Sequence, residues 1–149
     1  MSETITERLK LRAEDGEDLQ VIASSLQDAL LEVADMAYLQ GEARFALVLS
    51  RFCWEKPQAS PAQWQRSHCA LAFDTVRAVR LHGIDRRQRD QTLELLTIET
   101  KVPAAGGPAQ IDLLFAGNAA IRLEVDRVLC HLEDVGDPWP TPWQPAHSA

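Results

Sequence analysis

The sequence contains few of the residues on which small disulfide-linked or metal-dependent domains are built. Its three cysteines, among 149 residues, form an odd number and have none of the short spacings of zinc sites or redox pairs. A chain of this length can bury most of its apolar surface without disulfides or metal. We therefore expect a single domain in a reducing compartment.

Long apolar runs are also absent. No stretch approaches the roughly 20 apolar residues of a membrane span. Residues 1–10, MSETITERLK, lack the apolar core of a secretory signal. We expect a cytoplasmic protein without a membrane partner.

Catalytic and nucleotide-binding motifs are missing as well. The sequence has no Gly-x-Ser-x-Gly elbow, no His-Glu-x-x-His pair, no dinucleotide fingerprint and no glycine-rich phosphate loop before a helix. Active sites also assemble from residues far apart in sequence, so a small enzyme stays open as an alternative. We assign no catalytic residue, metal or cofactor.

The charge of the chain is distributed unevenly. The net charge is −7, residues 1–41 and 91–149 are acidic, and the middle segment has a surplus of arginine. The negative total disfavours non-specific nucleic-acid binding, because phosphates would meet a repulsive field. Guanidinium groups bind phosphate and carboxylate groups in a bidentate manner. Our candidate ligand-binding residues are therefore Arg77, Arg80, Arg86, Arg87 and Arg89.

A solvated loop is the alternative interpretation of these arginines. Arg77 and Arg80 occupy outward positions of a predicted strand, and Asp85 and Asp90 balance the remaining positive charge. Runs of charged residues are usually exposed to solvent.

The clearest structural pattern is a long β-hairpin over residues 30–54. With residues 40–43 as the loop, Tyr38 lies opposite Phe45, so apolar residues of both arms share one face. We expect Gly41 to provide the positive φ that such loops often need.

The two arms change phase together farther from the loop. The same register places Met36 opposite Leu47, and Leu31 opposite Phe52 on the other face. This is typical of a long coiled hairpin in a rolled sheet or a partly open barrel. A bulge near Ser50 and Arg51 is the competing explanation.

Other segments complete the expected order of elements. Asp15 predicts the N-cap of an amphipathic helix that ends near Ala29. The remaining predictions are a strand over residues 7–13, a loop over 55–67, a strand over 68–82 kinked at residues 74–75, a strand over 92–100 and a loop over 101–108.

A second hairpin is predicted near the C-terminal end. Residues 117–119 form its loop, with Asn118 or Ala119 near the left-handed region, and Phe115 then pairs with Ile121. Asp126 caps a following helix over residues 128–135.

Three carboxylates lie near this hairpin. The predicted register sets Asp112 opposite Glu124, a like-charge pair that Arg122 relieves diagonally, and Asp126 follows. Because two of them fall on the predicted solvent face, we assign them no catalytic role.

Cysteine and histidine provide a possible ligand set for zinc. The residues are Cys53, His68, Cys69, Cys130 and His131. Adjacent residues on a strand point to opposite faces, so His68 and Cys69 cannot easily hold one ion. We expect the cysteines to be buried and to act as small apolar residues.

The C-terminal segment, residues 137–149, is rich in proline and tryptophan. We expect an extended conformation. Trp139 and Trp143 are our candidate partner-binding residues, because a preformed extended chain loses little entropy on binding. The alternative is that both indoles cover an apolar part of the protein's own sheet.

Three sequence blocks resemble a known family. They occupy residues 35–55, 70–85 and 113–136, and the similarity extends over most of residues 9–139. The sequence resembles the alphaproteobacterial proteins grouped as domain of unknown function 2948. The resemblance implies a bacterial cytoplasmic protein and supplies no functional residue.

These observations predict an α+β fold. We expect a strongly curved antiparallel sheet of about six or seven strands with one N-terminal and one C-terminal helix, of which a pleckstrin-homology-like roll is one form. The domain spans residues 1–136, followed by the extended tail.

We expect a non-catalytic binding or accessory module that acts through contacts with another protein or with a second copy. The alternative is a small enzyme or a binder of an anionic, phosphate-bearing ligand that uses the arginine-rich segment 77–89.

Overall fold

The computed structural model describes residues 8–55, 63–103 and 107–145. Their regular structure consists of ten strands, one helix and a 3₁₀ turn at Gln40–Glu42. The elements are β1 (Lys10–Ala13), α1 (Gly16–Ser25), β2 (Leu30–Leu39), β3 (Arg44–Phe52), β4 (Gln65–Phe73), β5 (Val76–His82), β6 (Thr92–Lys101), β7 (Ala109–Phe115), β8 (Ala119–Val125), β9 (Cys130–Asp134) and β10 (Trp139–Pro140).

Antiparallel pairing joins the strands in one open sheet. Its order is β1-β9-β4-β3-β2-β6-β7-β8-β5, and β10 also pairs with β4. The expected antiparallel sheet is therefore confirmed, but the expected number of six or seven strands is wrong. None of the helices in the described residues has the length and apolar character needed to cross a membrane.

Helix α1 begins where the sequence predicts it. Asp15 is the N-cap, and its side chain accepts a hydrogen bond from the Asp18 N–H at 2.8 Å. Leu19 and Ile22 are fully buried because they repeat on the side of the helix that covers β1 and β6. Strand β2 starts at Leu30, shortly after the helix.

The β2–β3 hairpin confirms the register predicted near the loop. Tyr38 pairs with Phe45 and Met36 pairs with Leu47. The prediction for Gly41 is wrong, because the residue in the left-handed region is Ala43, with a φ of 51°.

The far part of this hairpin is irregular. Leu31 pairs with Leu49, not with Phe52. Between the two regular parts, residues 32–35 of β2 face the single residue Val48 of β3. The bulge is therefore in β2, not near Ser50 and Arg51, and it changes the phase of β2. The predicted joint change of phase is wrong, because the alternating burial of β3 continues from Phe45 to Arg51. The N–H groups of Val33 and Ala34 bond instead to carbonyls of the β5–β6 connection.

The β7–β8 hairpin has a three-residue loop, but one residue earlier than predicted. Phe115 pairs with Ala119, so residues 116–118 form the loop and Ile121 lies opposite Leu113. Asn118 is in the left-handed region, with a φ of 63°, as expected.

The shifted register removes the predicted pair of like charges. Asp112 faces Arg122 directly and accepts its Nε–H at 2.9 Å. The Gln110 side-chain amide donates to the other Asp112 oxygen at 3.1 Å.

The predicted C-terminal helix is a β-strand. Residues of β9 alternate, with Cys130, Leu132 and Asp134 buried. The strand is inserted between β1 and β4 and pairs with both. Backbone pairing with these distant strands outweighs the helical spacing of its apolar residues.

Other boundaries differ in smaller ways. The predicted 68–82 strand is divided near Thr75, which has a φ of 57°. Its two halves are the separate strands β4 and β5, which pair with different neighbours. Strand β4 begins at Gln65, inside the predicted loop. Of the predicted domain, its elements and the tail, residues 1–7, 56–62, 104–106 and 146–149 lie outside the described residues.

A largely buried ion cluster links β3 to β9. Arg51 donates to both oxygens of Asp134 at 2.8 and 2.7 Å and to both oxygens of Glu55 at 2.8 Å. Asp134 also accepts the Leu9 N–H at 2.8 Å. Burial by itself would lower the pKa of Arg51, but hydrogen bonds to both carboxylates raise it above its ordinary value.

Candidate protein-binding surface

The middle outward positions of the two central strands β3 and β4 carry no charge. Arg44 and Arg66 occupy outward positions at the ends of this row, and Arg66 donates its Nε–H to the Ser50 hydroxyl at 2.9 Å. Pairing sets Ala46 opposite Ala72, Val48 opposite Ala70 and Ser50 opposite His68. Residues between them, such as Leu47 and Leu71, are buried, so these six side chains face outward. We call the set the platform; its residues are Ala46, Val48, Ser50, His68, Ala70 and Ala72.

A concavity of about 490 Å³ lies at one end of the platform. The platform residues that also line this concavity are Val48, Ser50 and His68. Its other apolar residues are Leu30, Leu49 and Val135. Leu30, Val48 and Val135 are 39%, 41% and 43% exposed. Large apolar side chains that cluster on a surface mark interaction sites, whereas isolated ones do not.

The bulge in β2 forms the acidic rim of this concavity. Glu32 and Asp35 are the charged residues of its lining, and both lie in the bulged segment. Both residues are directed to this edge because residues 32–35 do not pair regularly with β3. Bulges often redirect side chains next to functional sites.

The two tryptophans of the C-terminal segment take different positions. Trp139 pairs with Arg66 and packs its ring against His68, with centroids 4.6 Å apart. It therefore extends the platform beyond His68. Trp143 is 76% exposed. Pairing of β10 with β4 attaches this part of the predicted tail to the sheet, and a partner-binding role for both indoles stays a prediction.

The outward face of the other half of the sheet is highly charged. One row across β5, β8, β7 and β6 consists of Arg80, Arg122, Asp112 and Glu99. Arg80 also forms an ion pair with Glu124 at 3.5 Å. The cores of protein interfaces are depleted of charged residues. Of the two faces, the platform has the composition of an interface.

The predicted anion-binding arginines point to separate places. Arg77, Arg80 and Arg86 line three different concavities. Arg77 pairs with Asp126, and Arg87 pairs with Asp85 at 3.2 Å. These arginines are exposed.

Arg89 differs in that its backbone takes part in the fold. Its carbonyl accepts the Ala34 N–H, and its side chain is exposed. A common phosphate site for these arginines requires a convergence that the described geometry does not provide, and it stays a prediction.

The three cysteine residues are buried. Burial raises the pKa of Cys69 to about 12 and also raises the pKa of Cys130. His68 is exposed on the platform, whereas Cys69 faces the core, as their adjacent positions predict. Within the described residues, no three His, Cys, Asp or Glu side chains form a group that could hold a metal ion.

The sequence contains a signal for the platform that our predictions did not use. Residues 45–50 and 67–73 contain no Asp, Glu, Lys or Arg. In two neighbouring strands with alternating burial, this leaves the solvent face uncharged. Only strand pairing shows that the two faces are continuous.

The comparisons with known proteins give a family but no activity. A family model described as "Protein of unknown function (DUF2948)" matches residues 9–147. This confirms the resemblance found from the sequence blocks. No curated protein matches the chain, and no solved structure matches it.

Proposed function

The chain belongs to the DUF2948 family, and we propose that it is a non-catalytic module that binds another protein through the platform and its concavity. The observation that carries the proposal is the uncharged platform in the middle of β3 and β4. In a sheet with one face exposed to solvent, each strand normally alternates apolar residues that face the core with polar residues that face the solvent. This face instead presents small and apolar residues, and an accessory role in the bacterial cytoplasm is part of the proposal.

The size of the platform requires the partner to cover its rim. From Ala46 to Ser50 the strand advances roughly 14 Å, at about 3.4 Å per residue. Two strands therefore offer far less than the roughly 800 Å² that each side of a stable interface buries. The partner must also contact the concavity, with Glu32 and Asp35 at its edge.

The rim indicates the chemistry of the partner. Two carboxylates flank an apolar concavity, and the whole chain has a net charge of −7. An apolar patch flanked by lysine or arginine would satisfy both features. The alanines of the platform allow close approach, so a flat face of a helix or sheet fits better than a narrow loop.

An affinity experiment with matched charge variants tests the proposal. Tagged full-length protein is incubated with its native cell extract at low and high salt, and retained proteins are identified by mass spectrometry. Val48→Glu places a charge in the platform. Val21→Glu is the control, because it makes the same change at an exposed valine on α1.

Capture alone does not support the proposal. The captured partner is purified, and its dissociation constant is measured against wild type, both valine variants and Trp139→Ala. We expect Val48→Glu to weaken binding at least tenfold and Val21→Glu to leave it unchanged, with circular dichroism showing that both are folded. Equal binding by Val48→Glu, or no retained partner at either salt concentration, would refute the proposal.

A further inference from the structure

Strand β5 is the last strand of the open sheet and leaves inward side chains uncovered. Val79 and Leu81 pair with Leu123 and Ile121 of β8, which are fully buried. Directly opposed residues share a face, so Val79 and Leu81 also face the interior. They are nevertheless only partly buried, because none of the strands in the described residues pairs with the other edge of β5.

The β2–β3 hairpin lies across this gap without pairing with most of β5. The two are joined at one end, where the Val76 N–H donates to the Ala43 carbonyl at 2.8 Å. The Tyr38 hydroxyl donates to the Val76 carbonyl at 3.1 Å. These are the hydrogen bonds found between β5 and the hairpin in the described residues.

A small apolar slot remains between the two elements. Its volume is about 80 Å³, and it is lined by Met36, Ala37, Tyr38, Phe45, Val79, Leu81 and Arg86. This is the space of two to three waters, at about 30 Å³ each. The slot therefore suits one short apolar side chain.

The charged residue in the lining of the slot is Arg86. The nearby arginines Arg77, Arg80 and Arg87 form ion pairs with Asp126, Glu124 and Asp85. Arg86 is exposed. An acidic ligand is therefore attracted here, in contrast to the acidic rim of the platform.

We propose that β5 is a second docking site, which binds an extended acidic segment of a partner protein. The segment adds to the free edge of β5 as a further strand, so that its backbone hydrogen-bonds with the unpaired groups of β5. One apolar side chain of the segment enters the slot, and a neighbouring carboxylate contacts Arg86. This site is separate from the platform and independent of the function proposed for it.

A synthetic peptide with alternating residues is the probe. Acetyl-Glu-Val-Glu-Leu-Glu-Val-Glu-amide is titrated into isotope-labelled full-length protein, and amide resonances are followed by NMR. Three control peptides replace the glutamates by lysine, the leucine and valines by serine, or the central leucine by proline. We expect shifts in β5 and at residues 36–38 with the first peptide, and at least tenfold weaker binding of each control.

A charge reversal tests the role of Arg86. We expect Arg86→Glu to weaken binding of the acidic peptide at least tenfold. Arg12→Glu, at an exposed arginine on β1 at the other end of the sheet, should leave binding unchanged. Absence of shifts in β5 at millimolar peptide, equal binding of any control peptide, or equal binding by Arg86→Glu would each overturn the proposal. A Val48→Glu variant that still binds the peptide would separate this site from the platform.

Discussion

The buried Arg51 cluster allows a quantitative prediction about stability. The side chains of Arg51 and Asp134 are 1% and 4% exposed. Arg51→Met removes the guanidinium but keeps most of the side-chain volume, and it leaves the Asp134 carboxylate buried without its counterion. Removing one member of a buried ion pair costs about 3–5 kcal/mol. For a chain of this size the melting temperature should fall by roughly 6–20 °C.

A second variant separates the uncompensated charge from lost packing. Arg51→Met/Asp134→Asn removes the buried charge, and the asparagine oxygen can still accept the Leu9 N–H. We expect the double variant to recover about 2 kcal/mol relative to Arg51→Met. This non-additivity is characteristic of residues in direct contact.

Urea unfolding at pH 7, followed by circular dichroism, provides the assay. The free energy of unfolding in water is obtained by linear extrapolation for the wild type, both single variants and the double variant. A loss below about 1 kcal/mol for Arg51→Met would refute the reasoning. A double variant as unstable as the sum of its single changes would do the same.

Three further predictions follow from other features. Ala43→Gly should raise the free energy of unfolding by about 0.5–1 kcal/mol, measured by urea unfolding, because Ala43 has a φ of 51°. Burial raises the pKa of Glu55, but the hydrogen bonds from Arg51 outweigh burial and lower this pKa below its ordinary value. The ionised Glu55 side chain therefore stabilises the protein fully at a pH above its pKa in the unfolded chain. This stabilisation is lost as the pH falls through the pKa of Glu55 in the folded protein. The stability difference between wild type and Glu55→Gln should shrink between pH 5 and pH 2, roughly the range around the ordinary glutamate pKa; a constant difference would contradict this. Cys69 and Cys130 should resist iodoacetamide at pH 8 in native protein and react in urea, since burial raises the pKa of both thiols. The alkylated sites are identified by mass spectrometry, and alkylation of either residue in native protein would contradict the prediction.

Local patterns in the sequence were sufficient for several elements. The register near the β2–β3 loop follows from alternation, because a slip by one residue would turn Tyr38 and Phe45 away from the core. The N-cap at Asp15 depends on a side chain three residues from its partner. Burial of Cys69 follows from its place in an alternating strand.

The second hairpin shows where alternation stops being informative. Its observed register differs from the predicted one by two residues, and a shift of two keeps every side chain on the same face. The apolar pattern therefore fits both registers. The direct pairing of Asp112 with Arg122 favours the observed one.

By itself, the sequence determined the antiparallel character of the chain, the N-terminal helix, the central hairpin and the family. Tertiary structure alone decided that residues 130–134 form a strand, because its partners β1 and β4 are far away in the sequence and Asp134 needs Arg51 to be buried. It also decided the candidate surfaces. The uncharged segments 45–50 and 67–73 are visible in the sequence, but only the pairing of β3 with β4 joins them into one platform. The uncovered edge of β5 follows from the order in which distant strands pair, and such pairing leaves no local pattern.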